Sequence, residues 1–192
     1  VFDMAILHSL ATFLLLLAVS IVPPLNRANG RVAFMGDSIT FHWALPKANY
    51  GISGQTTAEM RARFNAFIPG HGYRTVVILG GTNDILLGVD PDTSIDNLSA
   101  MAQAAEAAHI QPILCEVPPI FRDLYGRPID HTAQVQTLNE KIKKLASEHH
   151  WKLVDYYDAV ANHPNYTVDG VHMRHRGYLA MEFALLRTQN VL

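Results

Sequence analysis

The segment Val32-Ala33-Phe34-Met35-Gly36-Asp37-Ser38-Ile39-Thr40 decides how the chain is read. Four consecutive apolar residues run into a glycine and then into Asp37 and Ser38. A strand with one wet face alternates apolar and polar positions. An unbroken apolar run is the pattern of a strand buried on both faces, as in a parallel sheet. Thr75-Val76-Val77-Ile78-Leu79, Ile113-Leu114-Cys115 and Leu153-Val154 repeat it, and a weaker strand fits Asn49 to Ile52. Between these runs apolar residues recur every three or four positions: Met60, Phe64 and Phe67; Ile95, Leu98, Met101 and Ala105; Val135, Leu138, Ile142 and Leu145. Each set marks a helical stripe facing a sheet. A last helix fits Gly177 to Leu192. Strand alternating with helix predicts an α/β fold, a three-layer α/β/α sandwich with about five parallel strands and right-handed crossovers. The pattern does not encode strand order.

Length and composition agree with one such domain. The chain has 192 residues, 49% of them hydrophobic and 17% charged, enough to bury a sizeable core and too apolar for a disordered chain. Fifteen Lys and Arg against seventeen Asp and Glu leave a net charge of −2, so no basic face for nucleic acid is expected. The single cysteine, Cys115, sits in an apolar run. It excludes an intramolecular disulfide and any multi-cysteine metal site.

The first 29 residues form a segment apart from a single domain over residues 30–192. From Ala5 to Val22 the sequence is almost wholly apolar and stops at Pro23-Pro24. This is signal-like or anchor-like, with its start at Met4, and it implies a secreted, periplasmic or membrane-associated protein with membrane contact through residues 5–22. A packed N-terminal helix is the alternative.

A parallel sheet binds ligands at the carboxyl ends of its strands. Four polar clusters should gather there: Gly36-Asp37-Ser38-Ile39-Thr40, Gly51-Ile52-Ser53-Gly54-Gln55-Thr56-Thr57, Gly80-Gly81-Thr82-Asn83-Asp84, and Asp169-Gly170-Val171-His172. Ser38 directly follows a buried strand and opens a helix, which suits a nucleophile whose own N–H faces a developing oxyanion. A serine hydroxyl needs an adjacent base. Asp169 and His172 supply an imidazole whose tautomer a carboxylate can fix, leaving the other nitrogen for the Ser38 proton. Ser38 N–H, Gly54 N–H and the Asn83 side-chain amide make a three-donor oxyanion hole. Taken singly, each cluster also reads as an ordinary turn or helix cap, with Thr56 or Thr57, or Asn83 or Asp84, as cap. Turns alone do not explain all four at successive strand ends.

These four blocks, in this order, resemble the signature blocks of the SGNH (GDSL) hydrolases. The stretch Asn49 to Thr57 is especially similar to the bacterial esterase branch, and the likeness runs from Val32 to about Tyr178. The resemblance implies a flavodoxin-like five-stranded sandwich and ester hydrolysis through an acyl-enzyme. It implies Ser38 as nucleophile, His172 as base, Asp169 as its partner, and Ser38, Gly54 and Asn83 as oxyanion donors. Two positions depart from it: Phe41 stands where relatives often carry an acid, and Met173-Arg174 where they carry Pro-Asn. Both lie beside the triad and bear on substrate preference.

The expected activity is a serine esterase for short-chain acyl or aryl esters, with acyl transfer to alcohols as a side activity. The expected partner is a small-molecule ester, and no cofactor or metal is expected. Ile85, Leu86, Phe121 and Val171 are candidate substrate-binding residues, with Pro118-Pro119-Ile120 and Leu124-Tyr125 in the same apolar loops. The ten histidines include His149-His150 and the His172/His175 pair, but no carboxylate or cysteine set accompanies them at ligand spacing. Two other readings remain: a catalytically silent carbohydrate-binding module on the same sandwich, and an anchored interaction protein.

Overall fold

Val32–Gly36 forms the strand β1, whose residues alternate between two apolar layers. The computed structural model describes residues 31–44, 48–123, 125–128 and 130–188. The apolar run from Ala5 to Val22 and Leu124 lie outside these residues. β1 leads into a short helix, α1 (Ser38–Phe41), then β2 (Ala48–Gly51) and α2 (Thr57–Phe67). β3 (Thr75–Leu79) is followed by α3 (Thr82–Leu87) and α4 (Pro91–Ala107). β4 (Gln111–Cys115) precedes α5 (Thr132–Glu148), and β5 (Lys152–Val154) precedes α6 (Tyr156–Val160). A 3₁₀ turn at Pro164–Tyr166 leads to the final helix, α7 (His175–Arg187).

All five strands are parallel, in the order β2-β1-β3-β4-β5. Side chains on a strand point alternately to its two faces. Ala33, Met35, Val76, Ile78 and Leu114 therefore meet Met60 and Phe64 of α2, Leu98 and Met101 of α4, and Val135, Leu138 and Ile142 of α5. Phe34, Val77, Leu79, Ile113 and Cys115 meet Ile39 and Trp43 at α1, Tyr156 and Val160 of α6, and Tyr178, Met181 and Leu185 of α7. The helical stripes read from spacing fall on the first face. Phe67, at the end of the α2 stripe, is instead 42% exposed. α7 begins at His175, two residues before the expected start, and ends at Arg187.

The chain leaves β1 on one side for β2 and on the other for β3, so the sheet's switch point lies between β1 and β3. Ligands of open α/β sheets bind at that crevice. Two glycines make the turn possible. A Cβ on Gly36 would collide with the Thr40 side chain, and one on Gly51 with the Phe41 backbone. α1 can thus fold back against the ends of β1 and β2.

Candidate active site

Asp37 is the N-cap of α1, its Oδ1 accepting from the Ile39 N–H at 2.9 Å. That cap fixes the first turn of the helix, where Ser38 stands at the end of β1. Across the switch point, β3 ends at Gly80-Gly81 and α3 opens with Thr82-Asn83. The loop after the 3₁₀ turn brings Asp169 to His172 over the same edge.

The geometry joins three of these residues. His172 Nε2 lies 2.9 Å from Ser38 Oγ, and His172 Nδ1 lies 2.6 Å from Asp169 Oδ2. Asp169 Oδ1 accepts from the His172 N–H at 2.8 Å and the Val171 N–H at 3.0 Å, so one carboxylate holds both the ring and the turn that carries it. Partial burial opposes the Asp169 charge, but the bonds from the His172 ring and the two backbone groups outweigh it and bring its pKa to about 2. Gly170 between them has φ +94°, and the Arg122 side chain fills the space a Cβ would need. The Phe121 N–H donates to the Gly170 carbonyl at 2.8 Å, latching the 121–128 loop to this turn.

Asn83 Nδ2 donates to the Gln55 carbonyl at 2.9 Å, next to the Gly54–Gln55 peptide. An amide nitrogen carries two hydrogens, so one remains for a ligand. Gly54 is exposed with φ +80°, a conformation open to glycine without strain. Asp84, the last residue of that cluster, serves the frame. Buried, it accepts from the Thr57 N–H at 2.9 Å, the Thr57 hydroxyl at 2.5 Å and the Ser94 hydroxyl at 2.9 Å, pinning α2 and α4 to the end of β3. Neither Asn83 nor Asp84 caps α3, whose N-cap is Gly81. Thr56 caps α2 in a reciprocal box with Glu59.

A cavity of about 300 Å³ opens here, lined by Ser38, Asn83, Leu86, Asp123, Gly126, Asp169, Val171 and His172. Of the four residues expected to bind substrate, Leu86 and Val171 line it. The other two do not line it. Ile85, one helical step from Leu86, lines a separate cavity of about 590 Å³ with Val89, Pro91 and Ala133. Phe121 packs against the buried layer beneath the loop. Residues 85–87 look like an apolar loop in sequence but belong to helix α3, whose 100° steps send neighbouring side chains apart. Sequence reading missed Asp123 and Gly126. Asp123 is held by Arg127 through its Nε and Nη2, both at 2.7 Å, within one tight loop. The spacing Asp-x-x-x-Arg around a glycine was the available signal.

Asp37 is fully buried, and burial raises its pKa to about 7 against the opposing bond from Ile39. Its Oδ2 has no hydrogen-bond partner among the described residues. His42, one turn after Ser38, meets the His172 ring edge-on at 5.6 Å. His149 is exposed and stacks on Trp151. Among the described residues no group of three or more His, Cys, Asp or Glu is arranged to hold a metal ion. No helix of the described residues is long and apolar enough to cross a membrane.

The chain was compared with known proteins. Residues 34–180 match the model of the GDSL-like Lipase/Acylhydrolase family. A GDSL-like lipase from Bacteroides thetaiotaomicron is 33% identical, with a TM-score of 0.74 over 82% of this chain and 86% of that one. A candidate acylhydrolase from Bacteroides fragilis is 31% identical, also at TM-score 0.74, over 88% and 90% of the two chains. The acetylxylan esterase Axe2 of Geobacillus stearothermophilus, at 22% identity and TM-score 0.69 over 82% and 92%, shares the fold. Among proteins of curated function none matches. With a match that runs from β1 into α7 and takes in all four strand-end clusters, the chain belongs to the GDSL-like lipase/acylhydrolase family.

Proposed function

We propose that the protein is a serine esterase that hydrolyses short-chain acyl or aryl esters through an acyl-enzyme on Ser38. One observation carries this reading: the continuous contact from Ser38 Oγ to His172 Nε2 and from His172 Nδ1 to Asp169 Oδ2. As Ser38 Oγ attacks the ester carbon, His172 Nε2 takes its proton, and Asp169 stabilises the imidazolium and holds the ring in register. The negative charge that builds on the carbonyl oxygen falls to the Ser38 N–H, the Gly54 N–H and Asn83 Nδ2. Collapse expels the alcohol, which leaves with the proton from His172. Water then attacks the acyl-enzyme by the same route. An alcohol in place of that water gives acyl transfer.

The size of the cavity supports small acyl groups, and its apolar wall at Leu86 and Val171 supports contact with their first few carbons. Residues 5–22 support export or membrane association as the setting. The test is a panel of p-nitrophenyl esters run with and without an organophosphate, beside Ser38→Ala. Turnover should vanish in both cases and the label should map to the peptide carrying Ser38. Labelling at Ser53, or turnover in Ser38→Ala, would overturn the reading. A folded protein that neither labels nor turns over would favour a binding module.

A further inference from the structure

Arg63, on the second turn of α2, reaches the chain segments that carry two of the three oxyanion donors, Ser38 and Gly54, and through Gln55 connects to the third, Asn83. Its Nη2 donates to the Gly36 carbonyl at 3.1 Å and to the Tyr50 carbonyl at 2.7 Å, and its Nε donates to Gln55 Oε1 at 2.7 Å. Gly36 lies two residues before Ser38. Gln55 follows Gly54, and its backbone carbonyl is the group that Asn83 Nδ2 holds. One guanidinium therefore ties the end of β1, the end of β2 and the Gly54 loop into a network that closes on Asn83.

We propose that Arg63 is a positioning residue for the oxyanion hole, setting the Gly54 N–H and the Asn83 amide relative to Ser38. The proposal rests on the esterase reading above. The loop needs such a support. Ile52, Ser53 and Gly54 are exposed, and nothing lies within 4 Å of where a Gly54 Cβ would be, so side-chain packing does not hold this peptide. Hydrogen bonds to Gln55 from Arg63 and Asn83 do, together with the Ile52 N–H to the Gly36 carbonyl at 3.1 Å. Arginine suits the task because its donors radiate in a fixed plane, whereas a lysine ammonium cannot span two carbonyls and an amide in the same directions. The helix itself has other anchors. Met60 and Phe64 are buried in the core, the Thr56–Glu59 box caps its start, and Asp84 holds Thr57. Arg63 is thus spare for the fold and central to the hole.

The experiment compares Arg63→Ala, Arg63→Lys and Gln55→Ala, alone and with Asn83→Ala, by steady-state kinetics on one soluble p-nitrophenyl ester. Loss of a whole oxyanion donor costs about 10²–10³ in kcat. Mispositioning should cost less, about 10–100-fold for Arg63→Ala and about 3–10-fold for Gln55→Ala, with KM changed less than about threefold. The decisive reading is the pairing. Arg63→Ala and Asn83→Ala should lose much less together than the product of their separate losses, because both act on the same hole. Multiplicative losses, or a loss that appears in KM rather than kcat, would overturn the proposal. Gln55→Ala removes one half-buried loop side chain and leaves the backbone carbonyl that Asn83 holds, so an unchanged kcat there together with an unchanged kcat in Arg63→Lys would also overturn it. If Asn83→Ala is itself silent, the oxyanion assignment fails and takes this proposal with it. If Asn83→Ala is impaired and the Arg63 and Gln55 variants are not, only the role of Arg63 falls.

Discussion

The Tyr178 hydroxyl donates to the Ile39 carbonyl at 2.8 Å, joining the helix that follows His172 to the helix that begins at Ser38. The same ring stacks on Trp43 with centroids 5.6 Å apart, and Trp43 Nε1 donates to Glu182 Oε1 at 3.0 Å. This seam between α1 and α7 spans the two halves of the site, which sequence separates widely. Tyr178→Phe keeps the ring and removes the donor. It should cost about 1 kcal/mol of stability, or about 2–4 °C in Tm for a domain of this size. It should also lower kcat several-fold with little change in KM, since Ser38 and His172 lose a restraint on their separation. Thermal unfolding and steady-state kinetics check both. A variant with lowered Tm and parental kcat would show that the seam holds the fold and not the catalytic distance.

Asp169 remains charged through any practical assay range, because its pKa lies near 2. The lowered value contributes stability that is present above the ordinary carboxylate pKa of 3.8 and is lost as pH falls toward 2. Asp169→Asn preserves an oxygen for the Val171 and His172 N–H groups but presents an amide or the wrong tautomer partner to the ring. The expected loss is about 10⁴ in kcat, with the ester still bound. A loss under about tenfold would remove Asp169 from the mechanism.

Asp37 has the opposite linkage. Its pKa is raised by burial to about 7 in the folded chain against 3.8 for the free side chain, so the native state holds the extra proton between those values. Stability contributed by this group is present below about pH 4 and is lost as pH rises through about 7. Asp37→Asn cannot titrate, and asparagine caps a helix as well as aspartate. Urea midpoints at pH 4.5, 6 and 7.5 should therefore show the variant gaining on the parent as pH rises. A constant difference across the three would mean that Asp37 ionises like an exposed carboxylate.

Much of this arrangement was legible because the parallel sheet announces itself. Val76 to Leu79 and Val32 to Met35 are apolar on consecutive positions only because both faces are covered, and the polar groups that follow such strands must share one edge. Ser38, Asn83, Asp169 and His172 were therefore readable together. Strand order was not, since nothing local in Asn49 to Ile52 says that β2 lies outside β1. The Arg63 network was hidden for a similar reason. Its partners Gly36 and Tyr50 offer backbone carbonyls, which any sequence would supply. Asp84 was read as a candidate cap of its own helix, but its acceptors serve Thr57 and Ser94 on other helices. Ile85 and Phe121 do not line the cavity: the facing of Ile85 follows the phase of a six-residue helix that the sequence barely displays, and Phe121, in the loop after β4, packs on the buried layer with no periodicity to mark its direction.

The cavity predicts the acyl range. Leu86 and Val171 give it apolar lining, while Asp123, neutralised by Arg127, and Gly126 contribute polar and backbone surface. Each methylene that reaches the apolar wall adds up to about 0.8 kcal/mol, close to fourfold in kcat/KM, and one that passes the Asp123 side or projects into water adds almost nothing. Specificity should rise over the first few carbons and peak between acetyl and hexanoyl esters. Leu86→Ala lengthens the wall's recess and should shift the optimum toward longer chains, and Leu86→Phe should shift it toward acetyl. Ile85→Ala is the control, because Ile85 faces the other cavity and should leave the profile unchanged. Measuring kcat/KM from two to sixteen carbons below the micelle concentration decides the matter. A maximum at twelve carbons or beyond would require an apolar tunnel past Asp123. A shifted profile in Ile85→Ala would instead mean that the acyl chain crosses α3.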